Sequence, residues 1–241
     1  MSPEYTAKPP RIRPPPALVT AVGVGALLAT VYPPAAERAL AAWGVRGVAL
    51  LLLTLGLVSL VAWRRSAARA GVPLFLRAAV LVLPALAFAT RDALYLRLVP
   101  AAIQALIAAL FVVSLRDGGS LFYEAARSLH PYAPDFIAPY CRKSTIVFAA
   151  IFALLAVAAG YLGFVPPASG WGSATGFWIW TPVIAASLVD WAVRKWWFRY
   201  FGPGPLDQLL KHVLPPENTA AGRRSLEYIR RMRAQLGMPP P

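Results

Sequence analysis

The chain has few residues whose side chains carry out chemistry. Among its 241 residues are one cysteine, two histidines and ten acidic residues. A single cysteine excludes an internal disulfide framework and any multi-cysteine metal site. Charged residues make up only 14% of the chain, against about 25% in a typical soluble domain. The sequence therefore predicts no metal and no cofactor, and its low charge argues against a soluble domain.

Apolar residues are abundant instead. They make up 58% of the chain, and the mean hydropathy is +0.56. A helix of about 20 apolar residues crosses the ~30 Å hydrocarbon core of a bilayer. Six segments have roughly this length: 17–32, 42–63, 73–89, 95–115, 146–165 and 176–193. Because alternating ten-residue patterns are absent, the predicted fold is an all-α polytopic membrane protein with six spans in a domain over 17–193.

The basic residues are distributed unevenly around these spans. Of 24 lysines and arginines, 19 lie before the first span, after the second and fourth spans, and beyond residue 193. Basic loops stay on the cytosolic side of a bacterial membrane. The pattern predicts a multi-pass protein of the bacterial cytoplasmic (inner) membrane, with both termini and the loop 116–145 in the cytosol. The net charge of +14 is explained in this way without a nucleic-acid partner.

Both ends of the chain have the composition of cytosolic tails. Residues 1–16 are basic and rich in proline, which predicts a disordered tail. Residues 194–241 form a second basic tail with an amphipathic helix over 223–236, whose apolar side carries Leu226, Ile229, Met232 and Leu236. Its arginines, and two bases at the start of span five, are predicted to contact anionic lipid head groups: Arg223, Arg224, Arg230, Arg231, Arg233, Arg142 and Lys143. RNA binding is the alternative for this helix, but no recognisable RNA-binding module accompanies it.

The cytosolic loop begins with a short amphipathic helix. Gly118 and Gly119 break the preceding helix, Ser120 is a suitable N-cap, and Pro131 stops the new helix. Its apolar and polar residues fall on opposite sides. Such a helix between two spans is predicted to lie flat on the bilayer surface.

Three residues of this loop are candidates for catalysis. His130 and Asp135 have the H-x-x-x-x-D spacing of glycerolipid-type acyltransferases, in which the carboxylate orients the histidine as a general base. The alternative is that "HP" stops one helix and the aspartate caps the next. Cys141 precedes two bases at a helix start, which favours a thiolate. However, His130 is separated from it by three prolines, and the sequence leaves both alternatives open.

Four polar residues lie within or at the edges of the predicted spans: Asp92, Gln104, Asp190 and Arg194. Ionisable groups near hydrocarbon need a partner and often mark functional sites. Asp190 and Arg194 are four residues apart with the acid first, which is the favourable order for an ion pair on one helix. Asp92 is expected to pair with a nearby arginine, either Arg91 or one on another helix.

From span four onward the order of features resembles a family of small bacterial inner-membrane proteins encoded beside fatty-acid or aryl-polyene biosynthesis genes, similar in pattern to intracellular septation protein A. The segments that carry the resemblance are "RDAL…LVPAAIQALIAALFVVSL", "SLFYEAAR" and "YCRKSTIVFAAIF…AAGY". The matching positions are Asp92, Pro100, Gln104, Ser114, Leu115, Tyr140, Arg142, Lys143 and Thr145. Gln104 replaces an expected asparagine, and Ala159-Gly160 replaces an expected Asn-Gly. The resemblance implies an inner-membrane location and no particular reaction.

These observations predict a non-catalytic scaffold or accessory factor in envelope or lipid-linked biosynthesis. Its partners would be anionic lipids and proteins of those pathways. The alternative is a membrane enzyme or transporter that handles acyl chains or lipid-linked intermediates. A scaffold predicts that His130, Asp135 and Cys141 can each be replaced by alanine without loss of function, whereas an enzyme predicts that at least one cannot.

Overall fold

The structure is a computed structural model that describes residues 17–66, 74–129, 135–165, 171–199 and 205–235. Within these ranges, the side chains at 17–21, 59–66, 74–80, 117, 129, 205–206, 233 and 235 lie outside the description. Every regular element in the described part is helical. The ten α-helices there are α1 (Ala17–Ser66), α2 (Leu74–Thr90), α3 (Leu94–Arg97), α4 (Val99–Ser114), α5 (Leu121–Leu129), α6 (Ala138–Phe164), α7 (Trp171–Gly176), α8 (Thr181–Phe198), α9 (Pro205–Val213) and α10 (Ala220–Gln235).

Four helical stretches in the described residues are long and apolar enough to cross a membrane. They are Val22–Val58, Leu94–Ser114, Asp135–Phe164 and Trp171–Phe198, and a shorter apolar helix covers Leu81–Thr90. Large apolar side chains are exposed along these helices, as expected where lipid replaces water as the solvent. The chain therefore has the helices of an integral membrane protein.

Helix α1 includes both of the first two predicted spans and the segment between them. Pro33 and Pro34 lie inside it, so the carbonyls of Ala29 and Thr30 lose their usual helical N–H partners. Gly44 interrupts the helix with φ 66° and ψ 177°, a conformation that favours glycine. The segment 33–41 was predicted to separate two helices, whereas the structure keeps it helical and places the break at Gly44.

Helices α4 and α6 form the centre of the bundle and run antiparallel. The ring of Phe111 stacks on those of Phe148 and Phe152, with centroids 6.3 and 5.5 Å apart. At the other end of the pair, a Cβ built on Gly163 would lie 3.0 Å from Leu98. Gly163 at this end lets α6 approach Leu98 closely, and aromatic rings pack between the two helices at the other end.

The two halves of α1 pack on different partners. In the first half, a Cβ on Gly25 would lie 3.2 Å from Ile107 of α4, and the Tyr32 hydroxyl donates to the Leu96 carbonyl at 2.9 Å. In the second half, Val48 and Ala49 share a buried cluster with Ala87 of α2. The Gly44 break thus divides α1 into a part that covers α4 and a part that covers α2.

Helix α7 packs across the proline pair of α1 through two glycines four residues apart. A Cβ on Gly176 would lie 2.8 Å from both the Thr30 carbonyl oxygen and Cδ of Pro34, and one on Gly172 would lie 3.0 Å from Cα of Pro34. The Gly172 N–H donates to the Glu37 carboxylate at 3.1 Å. We call this contact, made by Pro34, Gly172 and Gly176, the glycine end of the bundle.

Helices α9 and α10 contact the C-terminal end of α8, which lies away from the glycine end. Lys195 pairs with Asp207 of α9 at 2.6 Å, and Arg199 donates to the Pro215 carbonyl at 2.5 Å. Ser225 of α10 lies 2.9 Å from the Phe198 carbonyl oxygen, within hydrogen-bonding distance. The segment that was predicted as a single cytosolic tail is therefore folded against the bundle over its described residues.

Candidate functional site

The carboxylate of Asp190 gathers three side chains at the end of the bundle opposite the glycine end. Its Oδ1 accepts hydrogen bonds from the hydroxyls of Tyr140 at 2.9 Å and Ser144 at 2.5 Å. Its Oδ2 lies 2.7 Å from Nε of Arg194. Two hydroxyl donors and one ion pair therefore occupy the carboxylate, whereas Nε and Nη2 of Arg194 are buried without a hydrogen-bond partner among the described residues. We call Tyr140, Ser144, Asp190 and Arg194 the Asp190 cluster.

Helical spacing on two helices produces this cluster. Tyr140 and Ser144 are four residues apart near the start of α6, and Asp190 and Arg194 are four residues apart near the end of α8. Residues at this spacing lie one above the other on a helix surface. Because the two helices meet at these turns, each contributes one pair of polar groups to a common contact.

The guanidinium of Arg194 also ties the short helix α5 to the site. It lies over the rings of Phe122 and Tyr140, 5.4 Å from each centroid. Cation–π contacts of this kind contribute about 0.5–2 kcal/mol, depending on desolvation. The charge of Arg194 is thus balanced by one carboxylate and held between two aromatic faces, and the cluster joins α5, α6 and α8.

A network of hydroxyl groups continues the site into the start of α5. Thr145 donates to the Cys141 carbonyl at 2.9 Å, so Ser120 is the donor in its 2.8 Å contact with Thr145. The Ser120 oxygen accepts the Tyr123 N–H at 3.3 Å, which is the N-cap arrangement that the sequence predicted. Ser114 at the end of α4 accepts the Leu121 N–H at 3.2 Å. These bonds satisfy backbone donors at the start of α5 and fix its position against α6.

The predicted catalytic residues are placed apart from this cluster or outside the described part. His130 lies outside the described residues. Asp135 accepts a 2.5 Å hydrogen bond from the Tyr123 hydroxyl, and Cys141 is buried with its side chain facing the protein interior. Asp135 therefore links the short 3₁₀ helix Asp135–Ile137 to α5.

Two groups on α5 have raised pKa values. Burial, followed by the hydrogen bond to Asp135, raises the pKa of Tyr123 to about 12. Partial burial raises the pKa of Glu124. The guanidinium of Arg127 lies over the Tyr123 ring at 5.8 Å. These shifts favour the neutral forms of both groups and fit a helix that is pressed against the bundle.

The other two polar candidates lie elsewhere. Asp92 is exposed, its Oδ1 accepts the N–H of Leu94 at the start of α3 at 2.8 Å, and it forms no ion pair with an arginine among the described residues. Gln104 is fully buried in α4, and its amide has no hydrogen-bond partner among the described residues. Buried amides without partners are rare in proteins. Of the four predicted polar residues, the structure brings together Asp190 and Arg194.

The predicted lipid-contacting bases are exposed wherever their side chains are described. This applies to Arg142, Lys143, Arg223, Arg224, Arg230 and Arg231; the side chain of Arg233 is not described. Helix α6 begins at Ala138, so Arg142 and Lys143 lie in its second turn. The unfavourable interaction of a cation with the helix dipole is concentrated in the first turn and is therefore weakened here.

Sequence reasoning missed two members of the site. Tyr140 and Ser144 lie about 50 residues from Asp190 along the chain, and their contact depends on the packing of α6 on α8. The available signal was their own spacing, because two hydroxyl residues four apart at the start of an apolar helix form a polar stripe there. Ser114, Tyr140 and Thr145 had been noted only through the family resemblance.

Neither chemistry nor similarity assigns a reaction to this site. Among the described residues, no group of three or more histidine, cysteine, aspartate or glutamate side chains is arranged to hold a metal ion. Comparison with family models, curated proteins and solved structures finds no match for the chain. The geometry of the site is that of a polar contact that holds α5, α6 and α8 together.

Proposed function

We propose that the protein is an inner-membrane scaffold or accessory factor for envelope or lipid-linked biosynthesis. The observation that carries this proposal is the Asp190 cluster. Its carboxylate, guanidinium and hydroxyls contact one another and hold α5 beside α6 and α8. A carboxylate that is occupied by two hydroxyl donors and an ion pair favours a rigid platform over a site that binds and transforms a substrate. The family resemblance and the excess of basic residues support a bacterial inner-membrane location.

In the proposed topology the chain crosses the membrane six times with both termini in the cytosol. The Gly44 break would let residues 17–66 cross twice, because the two halves of α1 pack on different helices. The exposed Trp43 beside the break suits a membrane–water interface, where tryptophan is enriched. In this topology the Asp190 cluster and the exposed bases of α6 and α10 face the cytosol.

Cysteine labelling in intact spheroplasts tests this topology. On a Cys141→Ala background, single cysteines at exposed Ala42 and at Ser169 should react with an impermeant maleimide, whereas those at Ser2 and exposed Ala220 should react only after lysis. Ser225 is unsuitable as a probe because it is buried. If Ala42 is protected from the outside while Ala220 reacts, α1 crosses once and the six-span topology is wrong.

The exposed bases would form the docking surface of the scaffold. Arg142 and Lys143 lie beside α5, and four arginines of α10 are exposed nearby in the C-terminal segment. Each base near an anionic bilayer contributes about 1 kcal/mol of attraction before salt screening. The double variant Arg142→Gln/Lys143→Gln should retain less anionic lipid after mild-detergent purification than wild type does. The matched variant Arg38→Gln/Arg91→Gln, with bases on the opposite side in this topology, should retain the wild-type amount.

Alanine substitution of the three candidate catalytic residues distinguishes the scaffold proposal from the enzyme alternative. In cells that depend on the protein, His130→Ala and Asp135→Ala should each support wild-type growth at equal protein levels. Cys141 is buried, so Cys141→Ala is compared with Cys141→Ser to separate a packing effect from lost reactivity. Loss of function in His130→Ala or Asp135→Ala, with the protein still folded and inserted, would establish the enzyme alternative.

The second candidate function is transport, and one observation favours it. The buried, unpartnered amide of Gln104 and the proline pair of α1 are features that transporters use to build polar sites within a bundle. Gln104→Leu keeps a similar volume and removes the polar group. It should leave a scaffold unimpaired and stabilise its fold, whereas a transporter that used the amide would lose activity.

A further inference from the structure

One flank of helix α9 is apolar and mostly exposed in the described structure. Leu209 is 63% exposed and Val213 is 69% exposed, and they are four residues apart on the same flank. Leu210 and Leu214, on the adjacent flank, are half-buried. Gln208, Lys211 and His212 are exposed on the remaining sides. Exposure of two neighbouring aliphatic side chains to water is unfavourable, and their transfer to an apolar environment would remove that cost.

Helix α9 is joined to the end of α8 by an ion pair. Lys195 of α8 pairs with Asp207 in the first turn of α9, with N–O distances of 2.6 and 2.7 Å. The residues that follow Lys195 are the exposed tryptophans Trp196 and Trp197. Tryptophans at a helix end mark the membrane–water interface. The ion pair therefore holds α9 at the depth of the head groups.

Helix α10 packs on other parts of the protein, although its sequence has a stronger basic amphipathic pattern than that of α9. Ser225 lies against the Phe198 carbonyl, and Tyr228 packs edge-on to Phe136 at 6.1 Å. Ile229 and Met232, on the same side, are half-buried. Much of the apolar side that was expected to face lipid thus faces protein.

We propose that α9 lies in the membrane interface as an anchor, with Leu209 and Val213 inserted among the acyl chains beside Trp196 and Trp197. The occupant of this surface is the bilayer, because the Lys195–Asp207 pair holds α9 beside the exposed Trp196 and Trp197, and the exposed Lys211 on the same helix suits anionic head groups. Interfacial helices bury their apolar face about 5–10 Å into the boundary between head groups and acyl chains. This inference rests on the proposed membrane embedding and is independent of the scaffold function.

Fluorescence quenching in nanodiscs tests the anchor with the full-length protein. Single cysteines at Leu209 and Val213, on the Cys141→Ala background, are labelled with an environment-sensitive dye. Spin-labelled lipid should quench these positions several-fold more strongly than it quenches Gln208 and Lys211, which lie on the same helix. Aqueous iodide should give the opposite order.

A cysteine at Leu188, on the exposed side of α8, separates the two proposals. Lipid quenching at Leu188 together with iodide quenching at Leu209 would overturn the α9 anchor and leave the membrane embedding intact. Iodide quenching at Leu188 would overturn the embedding itself. Protection of Leu209 from both quenchers would show that protein, such as a second copy of the chain, covers the flank, and would also overturn the anchor.

Discussion

The two ends of the bundle are held together by different kinds of contact. At the glycine end, Gly172 and Gly176 of α7 meet the backbone and ring atoms of Pro34 and Thr30. At the other end, the Asp190 cluster joins α6 and α8 through charged and hydroxyl side chains. Backbone atoms cannot rotate away from an added side chain. In a polar cluster, by contrast, the loss of one bond leaves the others in place. The glycine end should therefore tolerate substitution less well.

The largest effect is expected from Gly176→Ala. The new methyl would lie 2.8 Å from the Thr30 carbonyl oxygen and from Cδ of Pro34, so one of the helices must shift. Overpacking of this kind costs about 1–3 kcal/mol, and rigid neighbours favour the upper part of that range. Thermal unfolding in mild detergent measures the loss of stability.

Gly23→Ala is the matched control for this substitution. Gly23 lies in α1, and a Cβ there meets nothing within 4 Å. Alanine is favoured over glycine in a helix by about 1 kcal/mol, so this variant should unfold at the wild-type temperature or above it. Equal behaviour of the two variants would remove the claim that the glycine end is closely packed.

Asp190→Ala should have the next largest effect. It removes the acceptor of two hydroxyls and the counter-ion of Arg194, and hydrogen bonds to charged groups contribute about 1.5–3 kcal/mol. We expect a loss of about 2–3 kcal/mol in the free energy of unfolding. Asp92→Ala, which removes an exposed carboxylate that accepts one backbone N–H at the start of α3, should cost about 1 kcal/mol. A larger loss from Asp92→Ala would show that the cluster does not hold its end of the bundle.

The sequence predicted those parts of the molecule that depend on local patterns. Apolar run length indicated the helical membrane class, the four-residue spacing indicated the Asp190–Arg194 pair, and Ser120 was identified as the cap of α5. The contact between Tyr140 and Asp190 depends on how α6 packs on α8. The periodicity of apolar residues in the sequence gives no information on that packing. The contact of Gly172 and Gly176 with Pro34 had a local signal in the small-x-x-x-small spacing of "GSATG". The helix through Pro33 and Pro34 was missed because proline normally ends one.

Tyr140→Phe and Ser144→Ala should each have a moderate effect that depends on Asp190. Each removes one hydrogen bond to the carboxylate and should cost about 1 kcal/mol. On an Asp190→Ala background Ser144→Ala should cost close to nothing, because its acceptor is gone, and Tyr140→Phe should cost less than on the wild-type background, because only the 3.3 Å contact of the hydroxyl with the backbone carbonyl of residue 190 remains. A double-mutant cycle in detergent measures the coupling. Additive losses would mean that the two hydroxyls stabilise the bundle through contacts other than Asp190.

The smallest effect is expected from Tyr123→Phe at the edge of the polar end. The hydroxyl donates to Asp135 at 2.5 Å, but both groups are accessible to water, so we expect a loss of about 0.5 kcal/mol. Tyr161→Phe, at an exposed position of α6, should leave the unfolding temperature unchanged.

The pH dependence of the stability difference between wild type and Tyr123→Phe distinguishes the hydrogen bond from a packing effect. The folded pKa of Tyr123 is raised to about 12, above the ordinary value of 10.0. Its contribution should therefore be fully present below pH 10 and be lost as the pH rises towards 12. The difference between wild type and Tyr123→Phe should be constant from about pH 7 to 9 and shrink above 10. A difference that is unchanged up to pH 12 would assign the effect to ring packing rather than to the bond with Asp135.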